Sequence, residues 1–192
     1  MADFARKVGA AYIVVHPKPC AKKERKVARA AALRALKALP KATRLMLALE
    51  TFGFKTRELT TREILTLTDQ QIVLDVNHVT QAEAEQLARK YARRIAGLHL
   101  SSRGKGFDGH KRIDKGCFRV LEILLRQGWR GNVVLEYLKK DEKWYGHDCA
   151  RLAKLVHKIM PRRNEFEYVT ECPVCGTALT GSDAVTYMCN NC

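Results

Sequence analysis

The sequence predicts an α/β fold in which parallel strands alternate with helices. Short apolar runs rich in Val, Ile and Leu, typical of strands buried on both faces, occur five times between residues 12 and 135. A loop and an amphipathic helix follow in turn, and this alternation implies parallel strands joined by helical crossovers. Each run ends near a histidine or an acidic residue, so we expect metal-capable side chains at one end of the sheet.

The composition is ordinary for a globular protein. The chain has 192 residues, 46% hydrophobic and 29% charged, enough to bury a substantial core. No apolar run approaches the roughly 20 residues that a membrane span needs, and the N-terminus carries no cleavable signal pattern. We therefore expect a cytoplasmic protein with no membrane partner, in a reducing compartment.

The positive charge is large and unevenly placed. The net charge is +15; residues 166 to 192 contain three acids and no Lys or Arg, so residues 1 to 165 carry +18. A basic surface favours nucleic acid, because it releases counterions condensed on phosphate. Solubility or a partner with acidic patches is the alternative explanation. DNA is therefore the expected partner, bound by the first part of the chain.

The stretch Gln71 to His78 shows the strand pattern most clearly. An apolar run, Ile72 to Leu74, precedes Asp75 and His78, which stand where the strand would end. The other expected strands, with the side chains at their ends, are Ala11 to Val15 with His16, Leu45 to Leu49 with Glu50, Gly97 to Leu100 with His99, and Asn132 to Leu135 with Glu136.

Helices are expected between these strands, two of them beginning at S/T-x-x-E capping boxes. They cover residues 2 to 9, Lys22 to Leu39, a helix starting at Thr60 to Glu63, a helix from Thr80 to Glu83 through Arg94, Phe118 to Arg126, and His147 to Met160. A polar, glycine-rich loop over Ser101 to Lys115 adds two potential ligands, Asp108 and His110. Long loops inside compact domains are usually functional.

A partial (β/α)8 barrel of five βα units fits this pattern. Catalytic groups of such barrels lie at the carboxyl ends of several strands, where these side chains fall. An open doubly wound sheet is the alternative, but no G-x-G-x-x-G or P-loop sequence follows any strand. Five strands cannot close an eight-stranded barrel, so a second chain or an oligomer completes it, the gene product is incomplete, or the sheet stays partly open.

Imidazole and carboxylate side chains together suit zinc, manganese or similar ions. The candidate ligands outnumber the needs of one ion; they are His16, Glu50, Asp75, His78, His99, Asp108, His110 and Glu136.

Six short segments, in this order, resemble the xylose-isomerase-like barrel superfamily and, within it, endonuclease IV. They are Val14-Val-His-Pro17, Leu49-Glu50 followed by Thr-Phe-Gly, Leu74-Asp-Val-Asn-His78, His99-Leu-Ser-Ser, Asp108-Gly-His110, and Val134-Leu-Glu-Tyr137. The resemblance runs from residue 2 to about 160 and corresponds to strands 4 to 8 of the family.

The resemblance implies a role for each ligand. Glu50, Asp75, His99 and Glu136 would form the ion site common to the superfamily. His78, Asp108 and His110 would form the additional site typical of endonuclease IV, and His16 with Glu50 part of a third. Zn²⁺ or Mn²⁺ would then support phosphodiester cleavage at abasic sites in DNA, with Glu50 and Glu136 as catalytic groups. Basic loop residues are candidate phosphate contacts: Lys55, Arg57, Arg103 and Lys105.

Two departures from the family pattern stand out. The first three βα units are absent, together with a histidine ligand of the His16 site and the main DNA-probing loops. The Asn-Asp usual after the histidine of the His99 segment is replaced by Ser101-Ser102.

The C-terminus resembles a zinc ribbon. Cys172 and Cys175 form one C-x2-C pair, and Cys189 and Cys192 form another after thirteen residues. This is close to the spacing of a four-thiolate structural zinc site, here without any basic residue for nucleic acid. The expected organisation is a barrel segment over residues 1–160, a linker over 161–170 and the ribbon over 171–192.

Three functions follow from these observations. The first is a metal-dependent phosphodiesterase of the endonuclease IV type, acting in DNA repair. The second is a single-metal sugar isomerase or epimerase, in which Glu50 and Glu136 shuttle a proton. The third is a non-catalytic partial barrel that serves as a binding or assembly subunit.

Overall fold

A computed structural model describes residues 12–16, 18–38, 46–50, 59–103 and 109–160. Strands and helices alternate along these residues. Their bounds are β1 Tyr12–Val15, α1 Arg25–Ala38, β2 Met46–Glu50, α2 Thr61–Leu67, β3 Gln71–Asp75, α3 Gln81–Tyr91, β4 Ile95–Leu100, α4 Lys115–Arg126, β5 Asn132–Leu135 and α5 Tyr145–Ile159. Short 3₁₀ turns cover Ala92–Arg94 and Lys139–Trp144.

The five strands form one parallel sheet in the order β1-β2-β3-β4-β5. Val15 pairs with Leu49, and Asp75 pairs with His99. A doubly wound sheet would reverse its strand order at a switch point, whereas here each strand neighbours the next in sequence. The structure therefore confirms the predicted partial (β/α)8 barrel and excludes the doubly wound alternative for the described strands.

The core lies between the sheet and the helices outside it. Ile72, Val73 and Leu74 of β3 are fully buried, as expected of a parallel strand covered on both faces. Helix α4 buries Val120, Leu121, Leu124 and Leu125 at helical spacing. These side chains share one buried apolar cluster with Leu74 of β3 and Leu98 of β4, the strands that carry Asp75 and His99.

Side-chain caps set the starts of three helices. Thr60 and Glu63 form the predicted capping box of α2, and Thr80 accepts a hydrogen bond from the backbone N–H of Glu83 at the start of α3. At α4 the carboxylate of Asp114 accepts hydrogen bonds from the backbone N–H groups of Gly116 and Cys117. Because Asp114 acts as this cap, α4 begins at Lys115 rather than at the predicted Phe118.

Several other predicted boundaries were wrong by a few residues. Strand β2 includes Glu50, and β4 starts at Ile95 because a 3₁₀ turn separates it from α3. Helix α1 begins at Arg25, after the turn at residues 22–24, and α5 begins at Tyr145. The predicted helix over residues 2 to 9, the linker and the ribbon lie outside the described residues.

Gly97 allows one close approach inside the sheet. A Cβ at this position would overlap the Tyr12 hydroxyl and lie 3.0 Å from its ring carbon Cζ. The side chain of Tyr12, from β1, thus occupies the space over β4 that a larger residue would fill. None of the described helices is both long and apolar enough to cross a membrane.

Candidate metal centre

Three buried side chains meet where β2, β3 and β4 end. Glu50, Asp75 and His99 are at most 7% exposed. One ligand atom from each lies within 4.8 Å of the others. Parallel pairing brings this about, because the carboxyl ends of adjacent strands reach the same edge of the sheet. The three side chains form the centre of the candidate site.

Glu136 is the fourth donor. It directly follows β5, and its Oε1 lies 2.9 Å from His99 Nδ1. Nδ1 of His99 also lies 3.8 Å from Glu50 Oε2. This buried nitrogen has no hydrogen-bond partner of good geometry among the described residues, although two carboxylates surround it. That arrangement suits a nitrogen aimed at a cation that the carboxylates share.

Histidines stand at both oxygens of the Glu50 carboxylate. His16 Nε2 lies 2.6 Å from Oε2, and His78 Nδ1 lies 3.0 Å from Oε1. His78 Nδ1 is also 3.4 Å from Asp75 Oδ2. The His16 side chain is largely exposed, whereas that of His78 is mostly buried.

His110 completes the group on the side of Glu136. Its Nδ1 lies 3.7 Å from Glu136 Oε2 and 3.3 Å from the Ser101 hydroxyl oxygen. The rings of His78 and His110 meet edge to face, with centroids 5.9 Å apart. The structure thus brings seven of the eight predicted ligands into one continuous cluster.

The remaining predicted site residues divide in two. Arg103 is exposed, two residues after Ser101. Outside the described residues lie Asp108, Lys55, Arg57, Lys105 and the four cysteines Cys172, Cys175, Cys189 and Cys192.

The charges in the cluster perturb one another. Burial raises the pKa of Asp75 to about 6, and the nearby carboxylates of Glu136 and Glu50 add to this rise, although His78 opposes it. Burial also acts to raise the pKa of Glu50, but His78, His16 and His99 lower it overall. For His99, burial acts to lower the pKa, yet Glu136 raises it overall.

A divalent cation fits this set of donors. Three carboxylates crowded in a buried space repel one another, and a cation between them would remove that repulsion. Carboxylate oxygen and imidazole nitrogen are ligands that zinc and manganese accept. Glu50, Asp75, His99 and Glu136 are the residues that would hold such an ion.

One member of the cluster was missed by the sequence analysis. Ser101 was predicted as part of the His99-Leu-Ser-Ser segment, where it departs from the endonuclease IV pattern, and not as a site residue, yet its hydroxyl contacts His110. The signal was its spacing: Ser101 follows His99 by two residues, and side chains two apart in an extended chain leave on the same face.

The fold and this cluster define a (β/α)8-type barrel protein with an acid-and-histidine centre at the carboxyl ends of its strands. Residues 1–155 match the family model described as xylose isomerase-like TIM barrel, and the chain belongs to that family. The predicted superfamily is confirmed, whereas the closer likeness to endonuclease IV stays a prediction. None of the curated proteins compared with the chain matches it significantly.

Solved structures share the fold at low sequence identity. A xylose isomerase domain-containing protein from Salmonella typhimurium LT2 is 19% identical, with a TM-score of 0.57 over 81% of this chain and 66% of that one. A D-tagatose 3-epimerase-like protein is 15% identical, with a TM-score of 0.60 over 82% and 67%. The IolI protein with a bound zinc atom is 20% identical, with a TM-score of 0.54 over 83% and 68%. The chain spans about two thirds of the length of each.

Proposed function

We propose that this chain carries the metal-binding part of a divalent-metal-dependent phosphodiesterase of the endonuclease IV type, acting at abasic sites in DNA. The observation that carries this proposal is the pair of histidines on Glu50, with His16 at one oxygen and His78 at the other. An ion held by Glu50, Asp75, His99 and Glu136 already has four protein ligands. The additional histidines would supply donors for further ions close to the Glu50 carboxylate.

Clustered divalent ions would lower the pKa of a water molecule and neutralise charge on a phosphodiester. The chain's own residues would orient the reacting groups. Glu136 lies between His99 and His110. Burial acts to raise the pKa of Glu136, but its contact with His99 lowers that pKa overall. Its carboxylate is therefore ionised at neutral pH and can accept a proton at Oε1 or Oε2. Arg103, exposed after β4, would contact a phosphate.

Cleavage of a duplex with one abasic site tests this proposal. The full chain, loaded with Zn²⁺ or Mn²⁺, should cut that duplex and leave an undamaged duplex of the same sequence intact. Glu136→Gln should reduce the cleavage rate at least about 100-fold, since it removes a proton acceptor. Glu122→Gln, a partly exposed position on α4 outside the candidate site, is the matched control and should cut normally. Equal cleavage by Glu136→Gln, or no cleavage by the wild type, would contradict the proposal.

A single-metal sugar isomerase or epimerase is the second candidate. The observation that favours it is the placement of Glu50 and Glu136 around His99, with carboxylate oxygens 3.8 and 2.9 Å from its Nδ1. Two carboxylates beside one ion can remove and return a proton on a metal-bound hydroxyketone. One structural neighbour, described as D-tagatose 3-epimerase-like, has the same fold.

Proton exchange separates the two candidates. An isomerase or epimerase should carry solvent deuterium into a ketohexose at the carbon beside its carbonyl group, which mass spectrometry detects. The phosphodiesterase should show no such exchange and should cleave abasic DNA. Exchange that persists in Glu136→Gln would contradict the proton-shuttle role of that residue.

A further inference from the structure

Asp148, in the first turn of α5, is a fully buried carboxylate with several hydrogen-bond donors. Arg112 binds it with two nitrogens, Nε 2.7 Å from Oδ2 and Nη2 2.8 Å from Oδ1. The Tyr137 hydroxyl donates to Oδ2 at 3.0 Å, and Arg151 Nη1 donates to Oδ1 at 3.1 Å. A two-pronged guanidinium contact of this kind fixes orientation as well as distance.

The residues that Asp148 holds are next to two members of the candidate metal centre. Arg112 follows His110 by two residues, and Tyr137 directly follows Glu136. One carboxylate therefore connects both the segment that contains His110 and Arg112 and the segment after β5 to the same helix. Among the described residues, neither His110 nor Glu136 forms a hydrogen bond or ion pair with Asp148, and Arg112 and Tyr137 are the connection between them.

The two segments are also joined to each other. The backbone N–H of Leu138 donates to the carbonyl oxygen of His110 at 2.8 Å, and that of Ile113 donates to the Tyr137 hydroxyl at 3.2 Å. Aromatic rings cover this network. Tyr137 stacks on Tyr145 with centroids 4.8 Å apart, and the Arg112 guanidinium lies 4.2 Å from the centroid of the Trp144 ring.

We propose that Asp148 is a positioning residue, which sets the separation of His110 and Glu136 through Arg112 and Tyr137. The inference rests on the proposed function in treating those two side chains as metal donors. His110 Nδ1 and Glu136 Oε2 are 3.7 Å apart, a separation at which both can reach one ion. Without Asp148, Arg112 and Tyr137 lose their common hydrogen-bond acceptor, and His110 and Glu136 then move independently. Residues that do not bind the metal but hold its ligands in place orient those ligands and tune metal affinity.

Cobalt titration of the full chain tests the positioning role. Co²⁺ bound by carboxylates and imidazoles gives ligand-field absorption, whereas Co²⁺ on the C-terminal cysteines also gives sulfur-to-cobalt charge-transfer bands. Asp148→Asn should weaken the oxygen-and-nitrogen site about 10- to 100-fold and change the shape of its ligand-field spectrum. Tyr137→Phe removes one hydroxyl and should lower the Co²⁺ affinity and change the ligand-field spectrum in the same direction as Asp148→Asn. If Asp148→Asn does not fold, Tyr137→Phe tests the positioning role.

Leu152→Ala is the matched control. Leu152 is buried on the same helix, so its truncation loosens α5 without removing a hydrogen bond of the network. This variant should keep Co²⁺ affinity to within about twofold and leave the spectrum unchanged. Unchanged affinity in a folded Asp148→Asn or Tyr137→Phe variant, or an equal loss in Leu152→Ala, would overturn the positioning role. A wild-type chain that binds Co²⁺ only through thiolates would overturn the proposed function, and the positioning role with it.

Discussion

Asp75 and His99 are register partners on β3 and β4, placed side by side at the carboxyl ends of two parallel strands. The hydrogen-bonded ladder therefore fixes their backbones, and no loop rearrangement is needed to bring them together. Both strands are embedded in the core, so the centre of the candidate site is built on the rigid part of the fold.

Metal binding should stabilise the folded chain. Mn²⁺ at about 100 times its dissociation constant should add about 2.7 kcal/mol to the free energy of unfolding, because it binds only the native state. Asp75→Asn should lose most of this gain in thermal unfolding experiments. Asp69→Asn makes the same chemical change at an exposed position before β3 and should respond like the wild type. An undiminished Mn²⁺ effect in Asp75→Asn would argue against the proposed ligand set.

The stability contributed by Asp148 should depend on pH. Burial acts to raise the pKa of Asp148, but Arg112, His147, Tyr137 and Arg151 lower it overall. Its contribution is thus fully present above the unfolded-state pKa of about 4 and is lost as the pH falls through the lower folded-state pKa.

Asp148→Asn should therefore cost about 3 kcal/mol near neutral pH, because it leaves Arg112 without its carboxylate. The difference from the wild type should shrink as the pH falls below about 4. Urea unfolding at a series of pH values measures this difference. A difference that stays constant from neutral to acid pH would contradict the assignment.

Gly97→Ala should destabilise the chain by about 1 to 3 kcal/mol, since the new methyl group overlaps the Tyr12 side chain. Tyr12→Phe in the same chain should restore part of the loss: it removes the hydroxyl, while ring carbon Cζ remains 3.0 Å from the methyl position. A double-mutant cycle of unfolding free energies measures the coupling. Strictly additive effects would show that the two residues do not meet.

Arg103→Ala tests the DNA assignment separately from the chemistry. If Arg103 binds a phosphate, its loss should weaken binding to all DNA sequences and lower the slope of log affinity against log salt by about one. Arg126→Ala is the control, because Arg126 is exposed at the end of α4 and pairs with Glu122. Fluorescence anisotropy at several salt concentrations gives the slopes. Equal salt slopes for the two variants would show that Arg103 does not contact a DNA phosphate.

The sequence was enough to predict the parallel fold and the meeting of the strand-end side chains. Apolar runs such as Ile72 to Leu74 identify strands, and parallel pairing then places Asp75 beside His99 without further information. Helix starts were predicted where Thr60 and Thr80 supply a cap with a glutamate three residues later.

The sequence could not reveal contacts between distant segments. Arg112 and Asp148 are 36 residues apart, and neither belongs to a periodic pattern or a motif. Arginine and aspartate are common surface residues, so only the three-dimensional structure shows that Asp148 is buried and paired with Arg112. The start of α4 was missed because Asp114 forms a cap without a glutamate at the third position.

Because the strands pair in sequence order, substitutions at the strand ends and substitutions on the outer helix faces affect different properties of this molecule. Six of the seven described members of the centre sit within three residues of a strand end, and His110 lies in the loop after β4. Residues such as Lys90, Arg119 and Arg126 lie on the outer faces of helices α3 and α4. Substitutions there can alter the long-range electrostatic field around the chain, while the ladder holds the centre unchanged. Under the proposed function, attraction of DNA and reaction with it could thus be adjusted independently, by mutation or by design.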